Sequence, residues 1–118
     1  MSYIQGFLVP VPTKNKDAYQ KLAKKSAPIF KEYGALKIVE AWGDSVPDGK
    51  VTDFKRAVKA KDEETVVFSW IEWPDKETYE AAAKAMESDP RWKDMPEMPF
   101  DGKRMMWAGF DPIFVTES

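Results

Sequence analysis

The clearest β-strand in the chain is Thr65-Val66-Val67-Phe68-Ser69-Trp70-Ile71-Glu72-Trp73, and the other elements can be placed around it. β-Branched and aromatic residues dominate it, and such residues favour strands. Successive side chains of a strand point to opposite faces. The apolar residues here occupy both, with Val66, Phe68 and Trp70 on one face and Val67, Ile71 and Trp73 on the other. We therefore expect a strand inside a sheet that is covered on both sides.

Three further strands are predicted around this one. Apolar runs at residues 3–11 and 35–42 are bounded by Pro, Gly and charged residues, as strands usually are. Residues 103–115 predict a last strand, again apolar on both faces. Residues 51–60 are ambiguous, because Thr52, Phe54, Arg56 and Val58 alternate as in a strand, whereas Thr52-Asp53 could equally cap one or two helical turns.

Two helices separate the strands. The apolar residues between Tyr19 and Tyr33 recur every three or four positions, which predicts an amphipathic helix that ends before Gly34. Pro28 lies inside this pattern, and we expect it to kink the helix or divide it in two, because proline has no N–H. A second helix is predicted between Asp75, its N-terminal cap, and the Asp89-Pro90 pair.

This order of elements predicts an α+β protein with one domain over residues 1–118. Strand, helix, strand, excursion, strand, helix and strand make the split β-α-β plan of a ferredoxin-like sandwich, with an antiparallel sheet and two helices on one face. The apolar second face then needs a cover. We expect a homodimer, in which two sheets meet face to face as a dimeric α/β barrel. The alternative is that residues 90–100 fold over this face.

Composition excludes several kinds of function. The chain has 18 Lys and Arg, 20 Asp and Glu, and neither histidine nor cysteine. The net charge of −2 argues against a nucleic-acid partner. Without histidine and cysteine there is no disulfide, no thiolate metal site and no histidine base. Glycines occur singly and acidic residues do not cluster, so we expect no cofactor and no metal. The N-terminal residues resemble neither a signal peptide nor a membrane span, which indicates a cytoplasmic protein.

Acid–base chemistry would then fall to carboxylates. Glu40 and Glu72 are the catalytic candidates, since each lies in an apolar strand two residues from a tryptophan, Trp42 or Trp70, on the same face. Each pair could line one wall of a cavity. The alternative is a carboxylate exposed at a strand end, or one paired with an arginine.

Ligand-binding candidates come from the aromatic and basic residues. Trp42, Trp70 and Trp107 could form a flat apolar pocket, although packing and a dimer interface would explain them equally well. Arg56 lies three residues after Asp53 and could grip an anion or form a surface ion pair. Asp101 could orient Arg104 towards a ligand carboxylate or phosphate, or simply bind its own backbone in a turn.

Three segments carry a resemblance to a known family. Residues 68–72 (FSWIE), 46–54 (VPDGKVTDF) and 98–105 (MPFDGKRM) are similar to the bacterial YbaA-like family, and the similarity extends from about residue 3 to about residue 110. The resemblance implies the dimeric α/β barrel superfamily. It implies no activity and no catalytic residues, because the family has none established. Haem-handling members of the superfamily generally use a histidine, which this chain lacks.

Two functions follow from these observations. The first is a homodimer that binds a small apolar or aromatic molecule in an aromatic-lined cavity. The second is a cofactor-independent enzyme, of the monooxygenase or isomerase type, that uses Glu40 or Glu72 as a buried base. A cavity-facing carboxylate with a raised pKa would favour the enzyme, whereas carboxylates paired with arginine at the surface would favour binding alone.

Overall fold

The sheet is built around its two longest strands, β1 (Tyr3–Pro12) and β3 (Glu64–Trp73). They pair antiparallel along their whole length, from Tyr3 opposite Trp73 to Pro12 opposite Glu64, in a computed structural model that describes residues 2–117. The edge strands are β2 (Lys37–Trp42), beside β3, and β4 (Met106–Phe110), beside β1. The strand order is therefore β2-β3-β1-β4.

Two long helices, α1 (Lys16–Glu32) and α3 (Lys76–Ser88), cover one face of this sheet. A single short turn of helix, α2 (Phe54–Ala57), lies in the excursion between β2 and β3. The arrangement is α+β and ferredoxin-like, which confirms the fold predicted from the sequence. Asp75 caps α3 as predicted, because its carboxylate accepts hydrogen bonds from the backbone N–H and the hydroxyl of Thr78, each at 2.7 Å.

The register of β1 and β3 assigns every side chain to one of two faces. On the inner face, which is covered by α1 and α3, Val9, Val11 and Val67 form one buried cluster, and Ile71 and Trp73 belong to another. On the outer face lie the remaining apolar side chains of the sheet. Phe68, Met106 and Phe110 stand out there, with 46, 47 and 56% of their surface exposed.

Residues 90–100 do not cover the outer face. The Trp92 ring lies 5.1 Å from that of Phe30, and the Phe100 ring lies 5.7 Å from that of Tyr19, so both contact the inner side of α1. The alternative cover considered from the sequence is therefore wrong. Within residues 2–117 this face stays exposed at Phe68, Met106 and Phe110, whereas Val66, beside the excursion between β2 and β3, is 3% exposed.

Helix α1 is fixed at its two ends. At its start, the Asn15 amide donates to the carbonyl of Pro99 at 2.8 Å. At its end, Tyr33 donates to Asp89 at 2.6 Å and accepts from the indole of Trp92 at 2.9 Å. Gly34 follows with φ +113°, a left-handed conformation that costs glycine least.

Pro28 does not divide α1, so that one of the two outcomes expected for it is wrong. The helix is continuous from Lys16 to Glu32 with Pro28 inside it. Proline removes the hydrogen bond to the carbonyl of Lys24, one turn earlier. Both residues are exposed. Water can therefore satisfy that carbonyl, which lowers the cost of the missing bond.

The ambiguous residues 51–60 contain the helical turn α2, which is one of the two alternatives left open by the sequence. The Asp53 carboxylate caps this turn and accepts from the N–H of Arg56 at 2.7 Å.

The last strand is much shorter than the predicted residues 103–115. Residues 102–104 form a 3-10 turn, and pairing stops where Phe110 meets Ile4, near the start of β1. Pro112, which has no N–H to donate, follows two residues later.

The assignment of Ile71 to the covered inner face of the sheet can be tested by substitution. Ile71 is 3% exposed, whereas Ile113, beyond β4, is 96% exposed. Ile71→Ala should lower the free energy of unfolding by about 2–5 kcal/mol, because it removes buried methyl groups and leaves a cavity. Ile113→Ala should change it by less than about 0.5 kcal/mol. Urea titration monitored by tryptophan fluorescence measures both, and equal losses would contradict the burial of Ile71.

Candidate functional site

A two-lobed cavity lies between α1 and the inner face of the sheet. Its outer lobe, of about 320 Å³, opens beside the edge strand β2, and its inner lobe, of about 200 Å³, extends towards β1 and α3. Five residues line both lobes: Tyr19, Ala23 and Ala27 of α1, and Ile38 and Glu40 of β2. These shared residues form the junction between the lobes, and the outer lobe alone reaches the size of typical ligand sites, about 300–1,000 Å³.

Small side chains on α1 create this space. Ala23, Ser26 and Ala27 occupy the positions that face the sheet. The hydroxyl of Ser26 is turned back to its own helix, where it donates to the carbonyl of Leu22 at 3.0 Å. Residues of this size cannot fill the gap to β2, whereas a leucine at such a position would. The small residues of α1 therefore account for the cavity.

Glu40 and Tyr19 meet at the junction of the lobes. The Tyr19 hydroxyl donates to Oε1 of Glu40 at 2.6 Å. Ser69, which is 4% exposed, lies opposite Glu40 on β3 and lines the inner lobe. The salt bridges of residues 2–117 are made by Arg56, Arg91 and Arg104, and none of them includes Glu40. The carboxylate is thus held by a phenol rather than by a cation.

This environment shifts the pKa of both groups upwards. Burial raises the pKa of Glu40 above its ordinary value, and hydrogen bonds with Tyr19 and Ser69 partly oppose that rise. Glu40 still has exposed surface because the outer lobe is open. Burial also raises the pKa of Tyr19, and the charge and hydrogen bond of Glu40 raise it further. The pair therefore consists of a neutral phenol donor and a carboxylate that binds a proton more readily than usual.

The outer lobe has a basic and aromatic mouth. Lys16, Gln20, Lys24 and Trp42 line it. The ammonium of Lys16 lies 5.7 Å from the centroid of the Trp42 ring, within cation–π range. A ligand entering the outer lobe would pass the ammonium groups of Lys16 and Lys24 first and the Glu40 carboxylate next.

Several predicted site residues lie outside this cavity. Trp70 and Glu72 are on the outer face, with Glu72 opposite Lys37 at the end of β2, so Glu40 and Glu72 lie on opposite sides of the sheet. Trp107 is on the inner side, where it lines a depression next to the inner lobe, together with Trp73 and Tyr79. Of the predicted site residues within residues 2–117, Glu40 and Trp42 are the two that line this cavity.

Arg56 holds a loop. It donates to Oδ2 of Asp53 at 3.0 Å, to the carbonyl of Val51 at 2.8 Å, and to the carbonyl of Gly49. Asp53 in turn accepts from the N–H of Gly49 at 3.1 Å. The guanidinium is thereby directed into its own loop, between β2 and β3, instead of towards the cavity.

Arg104 and Asp101 belong to a second structural network. Arg104 makes a two-pronged ion pair with Glu64, both contacts at 2.7 Å, and also donates to Asp101 at 3.0 Å and to the carbonyl of Lys59 at 2.8 Å. The Glu64 side chain is only 4% exposed. The hydrogen bonds from Arg104 hold the pKa of Glu64 below its ordinary value. This network joins the turn before β4 to the start of β3.

The sequence did not single out Tyr19, Ser69, Lys16 or Lys24 as site residues. Tyr19 was recognised only as part of the buried stripe of α1. The sequence did contain one indication that a helical residue contacts Glu40. Glu40 shares its strand face with Ile38 and Trp42, and an apolar face of this kind must pack against a helix. The helical residue that this face contacts depends on how α1 lies across the sheet. The apolar periodicity of α1 does not determine that placement.

Two further properties concern the part of the chain that the structure describes. It contains no cluster of three or more side chains from Asp and Glu that could hold a metal ion. No helix in residues 2–117 has the length and apolar character needed to cross a membrane.

The Arg104–Glu64 pair predicts a pH-dependent effect. Because Glu64 has a lowered pKa in the folded state, its ion pair stabilises the protein above about pH 4.5, and this stabilisation is lost as the pH falls through the folded pKa. Arg104→Ala should therefore lower the free energy of unfolding more at neutral pH than at about pH 4. Denaturant titrations at both pH values measure this. Arg56→Ala is the control, and at neutral pH it should lower the free energy of unfolding by less than Arg104→Ala does. A loss for Arg104→Ala that does not change with pH would contradict the assignment.

Comparisons with known proteins give the chain its family. A family model described as "Protein of unknown function (DUF1428)" matches residues 2–102. The chain is 60% identical over 114 residues to the uncharacterized protein YbaA of Escherichia coli K12, covering 96% of this chain and 97% of that one, and it matches YbaA of Shigella flexneri equally.

A solved structure agrees in fold. The crystal structure of a dimeric ferredoxin-like protein from an uncultured marine organism matches with a TM-score of 0.53 and 15% identity, and the match covers 100% of both chains. At that identity the likeness shows the fold alone. The sequence matches confirm the resemblance seen in the three segments, and the chain belongs to the DUF1428 family of YbaA-like bacterial proteins.

Proposed function

We propose that this protein is a homodimer in which each subunit binds a small aromatic molecule in the two-lobed cavity. The observation that carries the proposal is the Tyr19–Glu40 pair at the junction of two apolar lobes. Ligand sites characteristically combine apolar walls with a few polar groups that converge on one point. Trp42 gives the outer lobe a flat wall, and Lys16 and Lys24 give its mouth positive charge.

Binding can be tested with 1-anilinonaphthalene-8-sulfonate, an aromatic ring system with one negative charge. Ala27 lines both lobes, so Ala27→Leu should fill the junction and weaken binding of this dye by at least about tenfold. The same substitution at Ala85, which is exposed on α3, is the matched control. Fluorescence titration gives the dissociation constants. Equal affinity in both variants and the unchanged protein would reject the cavity as the binding site.

The homodimer is supported by the outer face. Phe54, Phe68 and Trp70 form a run of contacting rings, with centroids 6.3 and 5.6 Å apart. Exposed Met106 and Phe110 extend this apolar surface across β4. Soluble monomers rarely expose continuous apolar patches of this kind, and aromatic residues and methionine are enriched at interfaces. A second copy related by a two-fold axis would bury both patches at once, and a protein with the same fold is itself described as dimeric.

A charge placed in this patch should separate the subunits. Phe68→Glu puts a carboxylate at the centre of the outer face, where burial against a second copy would leave it without a partner. We expect native mass spectrometry to show two chains for the unchanged protein and one chain for Phe68→Glu. Leu36→Glu, which introduces the same charge at an exposed apolar residue before β2, should leave the dimer intact. A monomeric unchanged protein would reject the dimer.

A further inference from the structure

The Tyr19–Glu40 hydrogen bond joins α1 to β2, and no cation accompanies the carboxylate. Glu40 keeps exposed surface at the open lobe, but the cavity walls remove part of its solvation, a cost that an apolar side chain would not have. Glu64, Asp53 and Asp89 differ in this respect, since each contacts an arginine that fixes a turn or a helix end. Glu40 instead faces empty space in which a ligand atom could approach it.

The cavity has a gradient of polarity that would orient a ligand. Its mouth carries Lys16 and Lys24, its junction carries Tyr19 and Glu40, and these four are the titratable groups that line the two lobes. The deeper lobe is lined mainly by apolar side chains, among them Phe7, Phe30, Ile71 and Phe100. A ligand with a carboxylate at one end and a ring at the other would therefore place its middle atoms at Glu40.

We infer that Glu40 is a catalytic base that moves a proton within an enolisable aromatic carboxylate, a compound with an acidic C–H between its ring and a carbonyl group. This inference rests on the proposed binding function. Glu40 takes the proton from carbon, the C–H electron pair forms a C=C bond, and the carbonyl π pair moves to oxygen as an enolate. Glu40 then returns the proton to that oxygen, so the enol forms, the carboxylate is regenerated, and no oxidant or cofactor is consumed.

Tyr19 acts in this step as a positioning residue. Its hydrogen bond at 2.6 Å fixes the Glu40 carboxylate at the junction, and it remains a neutral donor over the working pH range because its pKa is raised. It also opposes the rise in the pKa of Glu40. Removing this hydrogen bond should therefore raise the pKa of Glu40 further, and the base form would appear only at higher pH.

The probe for this activity is phenylpyruvate, which has a ring, an acidic methylene group and an α-keto carboxylate. Proton NMR in deuterium oxide follows loss of the methylene signal, and quenching of tryptophan fluorescence gives the affinity. We expect the unchanged protein to accelerate this exchange and Glu40→Gln to reduce the rate at least about 100-fold while it still binds phenylpyruvate. Glu72→Gln changes the same residue type on the opposite face of the sheet and should exchange normally.

Tyr19→Phe separates positioning from a purely structural role. We expect the rising limb of its pH–rate profile to move to higher pH, whereas a structural role would lower the rate without moving that limb. Circular dichroism checks that each variant is folded.

The outcomes distinguish this inference from the proposed function. Binding of phenylpyruvate without accelerated exchange would overturn the proton transfer and leave ligand binding standing. No binding of phenylpyruvate, with dye binding that still depends on Ala27, would overturn the substrate class alone. Undiminished exchange in Glu40→Gln would overturn the assignment of the base.

Discussion

The antiparallel pairing of β1 with β3 sets the face of the sheet on which each side chain lies. These strands match residue for residue along their full length, and side chains alternate between faces, so a slip of one position would exchange the two sets of apolar residues. The register places Ser69 and Ile71 on the covered face and Phe68 and Trp70 on the open one. Since β2 is aligned on β3, the same register determines that Glu40 points towards α1 and Glu72 away from it.

The elements that were predicted correctly are those whose signals lie within a few neighbouring residues. β3 is recognisable from its β-branched and aromatic residues, and α3 from the cap at Asp75. The predictions were wrong where the surroundings in three dimensions decide the outcome. β4 begins only at Met106, after the turn in which Arg104 binds Glu64 and the carbonyl of Lys59. Helix α1 is not divided at Pro28, because both residues of the missing bond face solvent.

The same distinction applies to the candidate site. Glu40 and Trp42 could be named from one strand, because residues two apart share a face. The hydrogen bond from Tyr19 could not be foreseen, since it depends on the position of a helix relative to the sheet. The arginines show the opposite problem, because their chemistry suggested ligand binding. Their donors are directed to Asp53, Glu64 and backbone carbonyls, which only the three-dimensional arrangement reveals.

The attachment of α1 at both ends limits how a ligand could reach the cavity beneath it. Hydrogen bonds fix the helix at Asn15 and at Tyr33, while its middle turns lie above open space. Such a helix cannot swing away as a lid without breaking one of these attachments. Molecules would therefore enter and leave sideways, past Trp42 at the edge of the sheet, along a route whose width is set by side-chain rotations on the nanosecond scale and not by a slow rearrangement of the backbone.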